Sequence, residues 1–330
     1  MNKFIAISIG DIRGVGIEIL LNLWIKKKIR NIIIFSNTRY IKKYLKLNNI
    51  NQSIISINEK NLYENSLNKN KLLIFNYNAK NEIENSYKSL SISYRITLKY
   101  QLKGLITLPI NKEKIIKNFD PKFIGQTEFF QKIDKKKISN MIFYHKKIII
   151  TNLTTHIKIK DINKYLSKKN YIFNKIILLN KVLINDFNIK NPKMIISGLN
   201  PHAGENGLIG NEEIKYIKPV LIKLKKRNIN IDGIVSGDAL LTKNNIKKYS
   251  CFIFIFHDQA LIPFKYISQN SGVNFTSGLK IIRVSPDHGT AYKIVGKNIA
   301  NNKSLLNCFS FINKIYSNRN KAYNHLNNKK

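Results

Sequence analysis

Short apolar runs rich in isoleucine and valine recur along the chain, separated by longer stretches in which apolar residues return every three or four positions. Residues 4–9, 32–35, 72–75, 104–107, 141–143, 147–153, 194–197 and 252–256 have the length and make-up of buried strands. Residues 16–28, 162–170 and 212–226 carry helical spacing. This alternation predicts an α/β fold with a largely parallel sheet. Gly10, Pro109, Gly198 with Pro201, and Pro263 fall near the carboxyl ends of predicted strands, where α/β proteins place their chemistry. No internal repeat is visible. The polar tail from residue 318 onward is expected to fray, and His325 within it reads as a solvated surface residue.

With 330 residues, the chain can form two domains or one large α/β unit, and its 43% hydrophobic content indicates a globular protein. Lys+Arg number 57 against 19 Asp+Glu, a net charge of +38. Charge of that size raises the possibility of a polyanionic partner. The lysines are spread evenly, however, and travel with asparagine and isoleucine, which a compositional bias toward these three residues also produces. No basic arm or aromatic-lined RNA motif stands out, so only weak, salt-sensitive attraction to nucleic acid is expected. Cys251 and Cys308 make neither a disulfide framework nor a paired metal site. The apolar stretch at residues 4–9 is too short for a signal peptide, and no segment has the length of a membrane span; a cytoplasmic location is expected.

Three of the six histidines share one context, just beyond an apolar strand: His156 in "TTHIKIKDI", His202 in "SGLNPHAGENG" and His257 in "FIFIFHDQAL". Separated by 46 and 55 residues (202 − 156 and 257 − 202), they can meet only through the fold. Three imidazoles around an open position suit a divalent metal acting as a Lewis acid. Taken singly, each reads more readily as a hydrogen-bonded structural histidine; the three together, each at a strand end, bring the metal reading level with it. Lys265, Asn274 and Arg283 suit an anionic substrate, Arg283 most of all because it interrupts an apolar run. "GDIRGVG" lacks the spacing of a dinucleotide loop and reads as a tight strand-to-helix turn. Asp287, His288, Gly289 and Thr290 are expected to open a helix whose amides could receive a cofactor's phosphate or ribose, or simply cap it.

Together these motifs resemble one family, the 4-hydroxythreonine-4-phosphate dehydrogenases of pyridoxal phosphate biosynthesis. The resemblance runs nearly end to end through "GDIRGVGIEI", "LITLPINKEKI", "FIGQTEFF", "TTHIKIKDI", "SGLNPHAGENGLIGNEEI", "GDALL", "HDQALIPFKY", "GVNFTSGLKIIRVSPDHGTA" and "GKNIAN". It implies two α/β/α domains around a cleft, related to isocitrate and isopropylmalate dehydrogenases, and a homodimer that completes each site. The expected division is 1–122 plus 291–330 for the first domain and 123–290 for the second, the latter carrying most metal and substrate residues. His156, His202 and His257 become metal ligands, some supplied by the dimer partner. Gln126, Thr127, Lys265, Asn274 and Arg283 become substrate residues. Asp238 and Lys112 are candidate proton acceptors, and Asp287, His288, Gly289, Thr290 and Asn301 are candidate cofactor residues.

The implied reaction is metal-dependent oxidation of 4-phosphooxy-L-threonine by NAD or NADP, giving a β-keto acid that decarboxylates to 3-amino-2-oxopropyl phosphate. The metal is open among zinc, magnesium, manganese and cobalt. No membrane partner and no specific nucleic-acid partner are expected. Several positions depart from the family pattern. Gln126 stands where histidine is usual; Ile12, Arg13 and Ile17 replace Pro, Ala and Pro; Asn298 replaces a common glycine. Two other readings remain: a related dehydrogenase acting on a phosphorylated four-carbon sugar acid, and a noncatalytic basic protein that binds nucleic acid.

Overall fold

The computed structural model of the chain describes residues 1–65 and 71–327, with side chains through residue 323. Two compact units divide it: Met1–Asp134 with Leu279–Tyr316, and Lys135–Gly278 with Ser317–Lys330. The strands among the described residues, in chain order, are β1 Ile5–Ser8, β2 Ile32–Phe35, β3 Ile54–Ile57, β4 Leu72–Phe75, β5 Gly104–Thr107, β6 Asn140–His145, β7 Ile148–Asn152, β8 Met194–Ser197, β9 Ile231–Val235, β10 Cys251–Phe254, β11 Val273–Ser277 and β12 Arg283–Pro286. The fold is α/β, as the alternation of runs predicts.

In the first unit the strand order is β3-β4-β2-β1-β5-β12, and its neighbouring strands pair in parallel. Because such strands are covered on both faces, β1, β2, β4 and β5 are buried at every position, which is why they read as unbroken apolar runs. Phe35, Phe75, Leu90, Leu105 and Phe130 belong to one buried cluster with Leu279 and Ile281, so the chain's return after residue 278 completes this core. The "GDIRGVG" turn packs tightly. Gly10 has φ +66°, and a Cβ on it would lie 2.4 Å from the Pro109 carbonyl oxygen, which also accepts from Asp11 N at 2.8 Å. Only glycine fits there.

In the second unit the order is β11-β6-β7-β10-β8-β9. β6 runs antiparallel to β11 and β7, whereas β7, β10, β8 and β9 are mutually parallel. Phe143, Ile150, Ile195, Phe252, Phe254 and Phe264 form its core cluster with Leu240 and Ala260.

Local expectations differ from the structure in several places. The helical pattern at 162–170 is cut after Leu166, and Asn170, with φ 61°, starts a separate helix, Tyr171–Asn185. The pattern at 212–226 begins as a π-turn, Glu213–Ile217, before the helix Lys218–Lys225. Pro219 has no N–H for a normal i→i−4 bond, which accounts for the widened turn. No α-helix opens at Asp287–Thr290: Ala291 has φ 46°, and only the three-residue turn Tyr292–Ile294 follows. The tail does not fray at residue 318, because Arg319 pairs through two 2.8 Å bonds with buried Asp186 and the helix Lys303–Asn327 continues. The side chain of His325 lies outside the described residues. No helix among the described residues is long and apolar enough to cross a membrane.

Candidate active site

The three histidines follow three adjacent parallel strands. β10 lies between β7 and β8, so the carboxyl ends of all three point the same way. His156 comes four residues after β7, His257 three after β10 and His202 five after β8. This topology turns separations of 46 and 55 residues in sequence into a neighbourhood (202 − 156 and 257 − 202). The His156 and His257 rings lie 5.3 Å apart, centroid to centroid. His257 Nδ1 is 2.6 Å from Asp258 Oδ1. A carboxylate oxygen accepts, so that nitrogen carries the hydrogen and Nε2 keeps its lone pair for a ligand. Among the described residues of the single chain, no three His, Cys, Asp or Glu side chains form a ready metal-binding group. The donor set fits a divalent transition metal in chemistry, with two imidazoles paired and a third on a neighbouring strand end.

His202 sits in a loop of unusual conformation. From His202 through Asn206 every residue is left-handed, with φ of 50°, 55°, 82°, 44° and 55°. For L-residues this costs about 1–2 kcal/mol each, so His202, Ala203 and Glu205 need compensation from elsewhere. Buried Glu213 supplies it. Its Oε1 accepts from Leu199 N at 2.7 Å and Asn200 N at 2.8 Å, and its Oε2 from Asn200 Nδ2 at 3.0 Å. Hydrogen bonds to a charged group contribute about 1.5–3 kcal/mol each, enough to offset that strain. A cavity of about 460 Å³ opens beside the loop, lined by His202, Glu205, Glu213, Lys218, Leu221 and Ile234 among others.

Gln259, two residues after His257, ties the strand ends together. Its Oε1 accepts from Ile255 N at 2.9 Å and from Ser197 Oγ at 3.3 Å, and its Nε2 donates to Gly198 O at 3.0 Å. One amide therefore fixes the ends of β10 and β8 to each other.

The predicted substrate residues divide between the units. In the first, Arg283 is buried, donates from Nε and Nη2 to Thr107 Oγ1 at 3.1 and 2.5 Å, and bonds Gln126 Oε1. Its guanidinium lies 5.2 Å from the centre of the Phe130 ring. Burial pulls its pKa down to about 9, with partial restoration by Cys308 and Glu128, so it remains a cation at neutral pH. Gln126 Oε1 also accepts from Thr107 Oγ1 at 2.5 Å, and its Nε2 donates to Leu108 O at 3.1 Å. Buried Thr127 is next to it, in the first turn of the helix Gln126–Ile133. In the second unit, Lys265 is exposed on the helix His257–Ser268. Asn274 lies on β11 with its Oδ1 buried and lacking a hydrogen-bond partner, an acceptor available to a donor group.

Asp238 is exposed and bonds Ser236 Oγ. That bond, then backbone amides and the nearby positive field of His202, lower its pKa, so it stays a carboxylate. Lys112 is exposed at the start of the helix Lys112–Asn118. Asp287 is buried with its N–H on Ser304 Oγ at 2.7 Å, and His288 Nδ1 is 3.0 Å from Gly289 O. Thr290 O accepts from Val15 N at 2.8 Å, joining this loop to the "GDIRGVG" turn, and Gly289 faces open space. Asn301 Oδ1 caps Lys303 N at 2.9 Å.

No local sequence pattern points to Thr107 or Glu213. Thr107 ends an apolar strand, and Glu213 is one of two adjacent glutamates. Only Gln259, within "HDQ", carried a signal.

A family model described as pyridoxal phosphate biosynthetic protein PdxA matches residues 28–312. The chain is 35% identical over 315 residues to the 4-hydroxythreonine-4-phosphate dehydrogenase of Sulfurihydrogenibium sp. strain YO3AOP1, spanning 92% of this chain and 95% of that protein. It is 34% identical over 320 residues to the enzyme of the same name from Aquifex aeolicus, spanning 94% and 98%. Among solved structures, the 4-hydroxythreonine-4-phosphate dehydrogenase of Klebsiella pneumoniae shares the fold with a TM-score of 0.79 at 23% identity, covering 95% of this chain and 99% of that one.

Proposed function

The chain belongs to the family of pyridoxal phosphate biosynthetic protein PdxA, and from that premise we propose that it is a 4-hydroxythreonine-4-phosphate dehydrogenase using NAD or NADP and one divalent metal. The observation that carries the reading is the His156–His257 pair, 5.3 Å apart at the carboxyl ends of neighbouring parallel strands, with His202 following the next strand. In this reading the substrate's secondary alcohol gives a hydride to the nicotinamide and a proton to a base, and the resulting β-keto acid loses carbon dioxide, its α-carbon then taking up a proton to leave 3-amino-2-oxopropyl phosphate. His156, His202 and His257 are the residues that would hold the metal, which would supply Lewis acidity at the reacting oxygen.

The chain's own residues do the rest. Arg283, Gln126 and Thr127 are the candidate substrate residues of the first unit and Lys265 and Asn274 those of the second, with Arg283 and Lys265 suited to anionic groups and the amides and hydroxyl to hydrogen bonds. Asp258 engages the Nδ1 of His257, leaving Nε2 as the nitrogen for a ligand. Asp238 and Lys112 are the two candidate proton acceptors, Asp238 held as a carboxylate chiefly by its bond from Ser236. The loop at Asp287–Thr290, with Asn301, is the candidate cofactor-binding segment.

A homodimer that shares its active sites is part of the proposal. It is supported by exposed apolar side chains beside both histidine segments. Ile262 and Tyr266 are 71% and 83% exposed on the helix of His257, and Leu208 is 86% exposed just past the His202 loop.

The test is NADH formation by purified protein from 4-phosphooxy-L-threonine and NAD with each candidate metal, alongside His202→Ala. Metal-dependent turnover that disappears in the variant is expected. Folded protein that turns over with no metal, or that prefers a phosphorylated four-carbon sugar acid, would overturn the assignment.

A further inference from the structure

Glu213 is only 2% exposed and is not one of the three histidines taken as ligands, yet its carboxylate closes the loop that carries one of them. Two consecutive backbone N–H groups, of Leu199 and Asn200, converge on its Oε1 at 2.7 and 2.8 Å. Successive amides aimed at one point form the kind of nest that binds an anion, and here the anion is the protein's own side chain. Asn200 Nδ2 completes the grip, donating to Glu213 Oε2 at 3.0 Å and to Glu212 Oε2 at 2.7 Å. Glu212 in turn accepts from Asn163 Nδ2 at 2.8 Å. Two glycines make room for the carboxylate: a Cβ on Gly198 would lie 3.0 Å from Oε1, and one on Gly204 would lie 2.8 Å from Oε2. Glu213 therefore hydrogen-bonds the chain just before His202 and packs against Gly204 within the left-handed run His202–Asn206.

We propose that Glu213 is the positioning residue of the His202 loop, setting the direction of that imidazole and through it the affinity of the histidine set for a divalent metal. The inference rests on the metal reading above. A carboxylate is specifically required, because all three groups it meets are donors. An amide in its place turns an N–H toward Asn200 Nδ2 or toward the two backbone amides.

The experiment compares wild type, Glu213→Gln and Asp186→Asn in the full chain, by titration with Co²⁺ followed in the visible spectrum and by hydrogen exchange at Leu199 and Asn200 without metal. Asp186 is the structural comparator, a buried residue of the same unit whose carboxylate pairs with Arg319 and whose backbone carbonyl accepts from Asn318 Nδ2. Glu213→Gln is expected to weaken cobalt binding about ten- to a hundred-fold and to speed exchange at both amides, whereas Asp186→Asn lowers thermal stability and leaves the cobalt Kd within about two-fold. A folded Glu213→Gln protein with the wild-type cobalt Kd overturns the inference, as does an equal loss of affinity in Asp186→Asn. Should Glu213→Gln not fold, Asn200→Ala removes only the side-chain part of the grip. Weakened cobalt binding then supports the inference, and an unchanged Kd overturns it. Wild-type protein that binds no cobalt sinks the metal reading itself, which is distinguishable from a variant that matches a cobalt-binding wild type.

Discussion

Replacing Gln126 by histidine, the residue usual in the family resembled, tests how buried Arg283 is held. Gln126 makes three bonds: its Oε1 accepts from Arg283 Nη2 and Thr107 Oγ1, and its Nε2 donates to Leu108 O. A neutral imidazole offers one acceptor and one donor, so two of the three survive, at a cost of about 0.5–1.5 kcal/mol. Thr107 can turn to Val284 O, 3.5 Å away, which keeps the loss near that range. A protonated imidazole accepts nothing and sets a second cation beside Arg283, a repulsion of about 4 kcal/mol at 4 Å and an effective dielectric constant of 20.

The folded state therefore holds the introduced imidazole well below the ordinary value of about 6.5 that it keeps when unfolded. Between those two values the unfolded chain binds the extra proton, so stability is greatest at high pH and falls as pH drops, by about 1.4 kcal/mol per pH unit below 6.5. Urea unfolding of both proteins at pH 8 and pH 5.5 gives the answer. The expected destabilisation by Gln126→His is about 1 kcal/mol at pH 8 and roughly 1.4 kcal/mol greater at pH 5.5. Equal destabilisation at the two pH values would show that Gln126 does not face the Arg283 charge as described.

Gly198→Ala places a Cβ 2.7 Å from the Ala203 Cα, so it should cost about 1–3 kcal/mol and weaken metal binding, both measurable on one preparation; unchanged metal affinity would separate the loop from the site. Gln259→Ala removes three bonds between the ends of β8 and β10 and should cost about 2–4 kcal/mol in thermal unfolding; a loss under about 0.5 kcal/mol contradicts the bridging role. Asp238, whose pKa is lowered chiefly by its bond from Ser236, is a candidate proton acceptor, so Asp238→Asn should cut kcat/KM by about a hundred-fold or more; wild-type turnover in the variant would remove Asp238 from that role. The +38 charge predicts nucleic-acid binding that falls about a hundred-fold between 50 and 200 mM salt; tight binding that survives the higher salt would point to a specific partner.

The sequence by itself determined the layers and the candidate chemistry. β1, β2, β4, β5, β8 and β10 are buried at every position, so their apolar runs announced them. The turns at Gly10 and Pro201 were legible because glycine and proline restrict the backbone locally. β3 and β11 were not legible: they mix polar or half-exposed positions with apolar ones, and pairing with their neighbours specifies them. β12 begins with Arg283, and its burial next to β5 is a fact of packing that no local pattern records.

The same division runs through the site. Three histidines after three apolar runs could be read from the chain, but strand order alone makes β10 the neighbour of both β7 and β8 and pairs His156 with His257. Glu213, Gln259 and Thr107 act through hydrogen bonds to groups 13, 61 and 176 residues away. Periodicity reports which side chains must leave water. It carries no information on which buried donor meets which acceptor, and that pairing, decided only once the strands are in order, holds His202 and Arg283 in place.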